Sequence, residues 1–211
     1  TLKSRTGGLT IWARVDNIKV PMKASASSWL NKSFSVTASS VELRGTINIS
    51  YSGGKVNVSV PSLVADVSKV KVNVFSGLFS FLNGLVTSAA KSSIKSALEK
   101  AIKDAIPDPI KNFLTGFKLN QSMTLPSALG SKKLNLTSSM DYLIFDNSGG
   151  TIGLAAGVYA TRGIPSGKLG TPLRSQSMPS WSTSYALGVG ISYNILNQAV
   201  CSAWYSGAFK Q

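Results

Sequence analysis

The chain has 211 residues, of which 43% are hydrophobic and 14% charged, with net charge +14, no His and one Cys. The length supports one to one and a half domains with a full core. The missing His removes the Ser-His-Asp triad, the Cys-His dyad and His-ligated zinc, and the lone Cys201 removes intrachain disulfides and thiolate metal clusters.

Eight scattered carboxylates complete an inventory that points away from an enzyme and calls for no metal or cofactor. The excess of Lys and Arg points to an anionic partner: nucleic acid, a lipid or lipopolysaccharide surface, or another polyanion. No apolar run reaches the ~18 residues of a transmembrane helix. The chain opens at Thr1 without a basic-then-apolar leader, so we expect a processed or excised product.

In chain order, the first stretch reads as strands. Leu9, Ile11, Ala13 and Val15 alternate with Thr10, Trp12 and Arg14. Val41, Leu43, Ile47, Ile49 and Tyr51 follow, then a Gly53-Gly54 turn, then Val56, Val58 and Val60. Beyond Pro61 comes another alternation, Val70, Val72 and Val74. Period two with β-branched residues means an antiparallel sheet with one dry face. Lys19, Lys23 and Lys32 flank an expected hairpin loop holding Trp29 and Leu30, a candidate for anionic head groups.

From Gly77 to Ile106 the period changes. Leu78, Leu82, Leu85, Val86, Ala89, Ala90, Ile94, Ala97, Leu98, Ala101 and Ile102 recur at three and four and predict one apolar helix face. Ser76 is the expected N-cap, and Pro107 and Pro109 the stop. Such a rod is ~45 Å long. Ile110, Phe113, Leu114 and Phe117 suggest a short second piece.

Strands return around Leu119–Leu125, Leu134–Ile144 and Ile152–Val158, the last with small partners Gly153, Ala155 and Gly157. Asn147 to Gly150 is a turn, and residues 162–183 read as a long loop. Ile195, Leu196, Ala199, Val200, Ala203 and Trp204 predict a last helix that stops at Gly207. The expected class is α+β: a highly curved antiparallel sheet wrapped around one long amphipathic helix, with a second C-terminal helix.

Three segments in this order resemble the family of the bactericidal/permeability-increasing protein, the tubular lipid-binding superfamily. They are residues 68–102 (SKVKVNVFSGLFSFLNGLVTSAAKSSIKSALEKAI), 140–163 (MDYLIFDNSGGTIGLAAGVYATRG) and 185–210 (YALGVGISYNILNQAVCSAWYSGAFK). The resemblance implies a tubular barrel whose apolar pocket holds acyl chains, a basic tip that meets anionic membranes or lipopolysaccharide, and a secreted or periplasmic location. It implies no cofactor.

Two features depart from the family pattern. No Cys lies near the long helix, and the chain starts in strands. Two arrangements stay open. In one, residues 1–211 form a single barrel that helix 191–206 closes. In the other, the chain is part of a two-barrel protein, and that helix is left over or swapped into a neighbour to give a dimer.

The implied lipid-facing residues are Leu78, Leu82, Leu85, Val86, Ala89, Ala97, Leu98, Ala101 and Ile102, with Ile195 and Ala199 on the second helix. The implied partners are phospholipid, fatty acyl chains or lipopolysaccharide, and an anionic membrane surface. Alanines facing small sheet residues allow either an open cavity or a closer approach of helix to sheet. The competing reading is therefore a solidly packed structural or adhesive surface protein.

Nucleic acid is not expected, since no recognition motif accompanies the charge. Asp141 and Asp146 are better explained by turn roles than by acid–base chemistry. Asn31, Asn48, Asn57, Asn120 and Asn135 head N-x-Ser/Thr triplets, and Cys201 reads as a small packing residue.

Overall fold

The computed structural model of the chain describes residues 1–26, 30–72, 82–160 and 187–210. The elements are β1 (Leu2–Arg5), β2 (Gly8–Ala26), β3 (Leu30–Ser52), β4 (Lys55–Val72), α1 (Leu82–Ala105), α2 (Pro107–Thr115), β5 (Asn120–Thr124), β6 (Lys133–Asp146), β7 (Gly149–Ala160) and α3 (Tyr193–Tyr205). The class is α+β, as expected. Among the described residues the strands form two antiparallel sheets in place of one closed barrel, β1-β2-β3-β4 and β5-β6-β7. The chain divides into two compact units: Thr1–Asn112 with Ile144–Gly150, and Phe113–Leu143 with Thr151–Gln211.

In the first unit the strands are far longer than the alternating runs suggest. β2, β3 and β4 have 19, 23 and 18 residues. Each is one strand whose inward parity changes on the way, and two devices cause this. At Thr46/Asn48 the β3–β4 register shifts by one, with Val60 and Pro61 facing Ile47. Proline belongs in such a bulge on an edge strand, where its missing N–H costs no ladder bond. Gly8 and Gly45 flank the bulge, and a Cβ on Gly8 would fall 2.0 Å from the Ile47 carbonyl oxygen.

The second device crosses the sheet. Asn17 and Lys69 have φ of 57° and 46°, and in register both lie opposite Ser39. A left-handed residue within a strand turns the following side chains to the other face. On β3 the buried set accordingly passes from Val36, Ala38 and Ser40 to Val41, Leu43, Ile47 and Ile49. Ser40 and Ser68 meet at this line, hydroxyl to hydroxyl at 2.7 Å, which satisfies the polar groups that the flip brings inside.

One face of α1 packs on this sheet. Ala90 and Ile94 join Val36, Ala38, Val41, Leu43, Ala65 and Val67 in the core, with Val86, Leu98 and Ile102 at its margin. Glu99, on the same helix, accepts the Ala65 N–H at 2.9 Å. Ala65 lies on the edge strand β4, so the helix satisfies a donor that no strand meets. Ser76 and the start of the predicted helix lie outside the described residues. α1 ends at Ala105, and α2 follows from Pro107, a residue suited to a first turn.

The second unit repeats the scheme on a smaller scale. Leu134, Val158 and Ala160 form its core with Leu125, Leu136, Ile195 and Ala199. β7 is the edge strand, and α3 meets both backbone groups of Val158. The N–H donates to Gln198 Oε1 at 3.2 Å, and Ser202 Oγ donates to the carbonyl at 2.8 Å. The Ser192 side chain caps α3 by accepting the Asn194 N–H at 3.1 Å. Gly207, at φ 78°, ends it, and the Ala208 N–H reaches back to the Ala203 carbonyl at 3.0 Å.

Candidate functional site

The predicted lipid-facing residues of α1 separate into two groups. Val86, Leu98 and Ile102 are half-buried against the sheet, beside the fully packed Ala90 and Ile94. Ala89, Ala97 and Ala101 are exposed, on the side that also carries Lys91, Lys95 and Lys100. The single apolar face read from spacing is therefore too wide. Alanine at three and four is tolerated on a wet face, because its helix propensity needs no burial. Leu78 lies outside the described residues, and for Leu82 and Leu85 only the helical backbone is described.

Of the two predicted α3 residues, both Ile195 and Ala199 point into the second unit's core. Leu196, Val200 and Trp204, grouped with them by spacing, lie on the opposite side and are 56%, 61% and 67% exposed.

Two glycines of β7 lie against aromatic rings. A Cβ on Gly153 would meet the Tyr142 ring at 2.0 Å, and one on Gly150 the Phe145 ring at 2.7 Å. At these two positions the missing side chain gives closer approach, whereas a Cβ on Gly157 would meet nothing nearer than 3.9 Å.

The expected basic loop is an extension of the hairpin. β2 and β3 remain paired to Ala26 and Leu30, with Lys23 opposite Ser33 and Lys32 opposite Ala24. The side chains of Lys23, Lys32 and Leu30, and all of Trp29, lie outside what is described. Lys19 is exposed, and its register row runs Lys19–Thr37–Lys71. Lys69, also exposed, falls opposite Ser39, two rows along, past Ile18–Ala38–Val70. The sequence does not single out Lys69 and Lys71, which stand either side of Val70. Only the strand register puts Lys71 in the row of Lys19 and Lys69 two rows away.

Asp16, Glu42 and Asp146 have structural partners. On the outer face of the first sheet, Arg14 pairs with Asp16 and Arg44 with Glu42, each at 2.8 Å. The Arg44 hydrogen bond holds the Glu42 carboxyl below its usual range, and the Asp16 hydrogen bond raises Arg14. Asp146 accepts the N–H groups of Ser148 and Gly149 at 2.8 and 3.1 Å, closing the β6–β7 turn. Its carboxyl is lowered, first by the Ser148 hydroxyl and then by the backbone N–H groups. That is the turn role its position suggested.

No protein-family model matches this sequence, and no curated protein does either. Among solved structures, the crystal structure of lipopolysaccharide binding protein matches 85% of this chain with a TM-score of 0.62 and 14% identity. The two share a fold. At that identity the likeness extends to the fold alone, which is the one the three sequence segments implied. The chain spans 40% of the length of that protein.

Proposed function

We propose that this chain is a non-enzymatic lipid-binding module that takes phospholipid, a fatty acyl chain or lipopolysaccharide at an anionic surface outside the cytoplasm. The observation that carries this reading is the fold shared with lipopolysaccharide binding protein over 85% of the chain. Charge supports it: net +14, with Lys19 and Lys71 in one row of the first sheet and Lys69 two rows along. In this reading head groups meet that row, with Lys23 and Lys32 further along the same hairpin. Acyl chains lie along α1 at its half-buried margin, Val86, Leu98 and Ile102.

Magnitudes assign the roles. A buried sixteen-carbon chain gains ~12 kcal/mol before costs, at ~0.8 kcal/mol per methylene. A lysine near an anionic surface adds ~1 kcal/mol. The apolar margin therefore sets affinity, and the lysines set encounter and orientation.

Native mass spectrometry of the chain after exposure to phospholipid and to lipopolysaccharide tests this. Adducts that survive gentle ionisation and are removed by organic extraction support it. Lys19→Gln with Lys71→Gln should weaken association with anionic vesicles about 30-fold at low salt. The packed structural reading has one observation in its favour, the close packing of Ala90 and Ile94 on the sheet. Protein at its bare mass, with vesicle association abolished by salt, would establish that reading instead.

A further inference from the structure

α3 is apolar on two sides, and among the described residues only one of them is covered. Its inner side packs on the second sheet through Ile195 and Ala199. Its outer side presents Tyr193, Leu196, Val200 and Trp204 at spacings of three, four and four, each more than half exposed. Phe209 extends the patch, its ring 6.1 Å from that of Trp204. Just before the helix, Leu187, Val189 and Ile191 alternate with glycines and are 70–81% exposed. An exposed apolar patch of this extent marks an interaction site, so this outer side is a surface in want of a partner.

We propose that the partner is a second copy of the same chain, docked through this face about a two-fold axis. Area is the first argument. The aromatics Tyr193, Trp204 and Phe209 alone leave on the order of 350 Å² open, at ~200 Å² per side chain. With the exposed aliphatic residues the patch reaches about the 800 Å² that each partner gives to a standard interface. It also exceeds the largest apolar patch of most monomers.

Charge is the second argument. The sequence from Leu187 to Phe209 contains no charged residue. Two copies therefore meet there without opposing cations, and the rest of the +14 is screened beyond ~8 Å in physiological salt. An amphipathic helix that lies on an anionic bilayer carries Lys or Arg on its polar face, and α3 carries neither on any face. Composition is the third argument. Tyr and Trp near the centre of a patch are the types that dominate interface energies. A two-fold axis also lets the alternating segment before α3 lie antiparallel to its own mate. The inference does not rest on the lipid reading.

The test is sedimentation velocity of the full chain from about 1 to 100 µM, a range that brackets micromolar association, in ~150 mM salt. A concentration-dependent monomer–dimer equilibrium is expected. Leu196→Glu with Trp204→Glu should weaken dimerisation at least about 100-fold while leaving the circular dichroism unchanged, since both side chains point away from the core. In a Cys201→Ser background, Val200→Cys should form a disulfide dimer on mild oxidation, and Lys95→Cys on α1 should not. A wild-type chain that stays monomeric at the highest concentration overturns the proposal. So does a dimer indifferent to the double substitution. A monomer that floats with anionic vesicles, and loses this on Leu196→Glu with Trp204→Glu, overturns it in favour of a bilayer. Lipid uptake by the monomeric variant is read separately, so the two proposals can fail independently.

Discussion

The two units solve one problem with different materials. Among the described residues, each has a sheet whose last strand lacks a neighbour, and each lays a helix side chain across that edge. In the first unit a charged group does it, Glu99 on the Ala65 N–H; in the second, two neutral groups, Gln198 and Ser202, hold both backbone groups of Val158. The outer sides of the helices differ more. α1 turns Lys91, Lys95 and Lys100 to water, and Lys100 pairs with Asp104 at 2.7 Å one turn on. α3 turns Leu196, Val200 and Trp204 outward. α1 is thus finished as a one-sided helix, whereas α3 carries a second apolar side that is exposed.

The comparison is sharpened by substitutions that act on one unit at a time. The largest effect is expected from Ile94→Ala, which removes a side chain 5% exposed in the first core. It should cost about 2–5 kcal/mol by denaturant unfolding, with amide protection falling first in α1 and β3. Glu99→Ala should cost about 1–3 kcal/mol, because it deletes a charged acceptor and leaves the Ala65 N–H unmet. Glu99→Gln should recover part of that loss, and a full loss with Gln would make the charge itself the structural element. Ser202→Ala should cost about 1 kcal/mol and open β7 to exchange at Val158. Protection in β7 that is unchanged would break the parallel between the two edges.

The smallest effect is a pH dependence at the β6–β7 turn. The folded Asp146 carboxyl titrates below its usual range, so its contribution is present at and above the ordinary carboxylate pKa. It is lost as pH falls through the lowered value. The protection factors of the turn amides Ser148 and Gly149, taken against their intrinsic rates at each pH, should fall in acid, and Asp146→Asn should remove that dependence.

Much of the fold is legible in the residues because side-chain period is local. The dry faces of β2 and β3, the long helix before Pro107, the Asp146 turn and the Gly207 stop all show as spacing or turn chemistry. β4 is harder. It appears as fragments, since the Pro61 bulge and the left-handed Lys69 each shift its inward parity by one residue. An alternation that breaks twice resembles separate strands until the partner strand shows continuous register. On α1 the error runs the other way. Ala89, Ala97 and Ala101 look apolar in sequence, yet a methyl group is small enough to sit in water, and only packing separates them from Val86 and Leu98.

By itself, then, the sequence determined the absence of His, the excess of cations, the α+β order and the turns, because each is written in composition or in neighbours a few residues apart. The tertiary structure decided which strands share a register, and hence that Lys71 lies in the row of Lys19 and Lys69 two rows along. It also decided that Tyr142 fills the place Gly153 leaves, and that α3 has an inside and an outside. Those facts depend on residues tens of positions apart. Burial is a property of what lies opposite a side chain, and no local period encodes that.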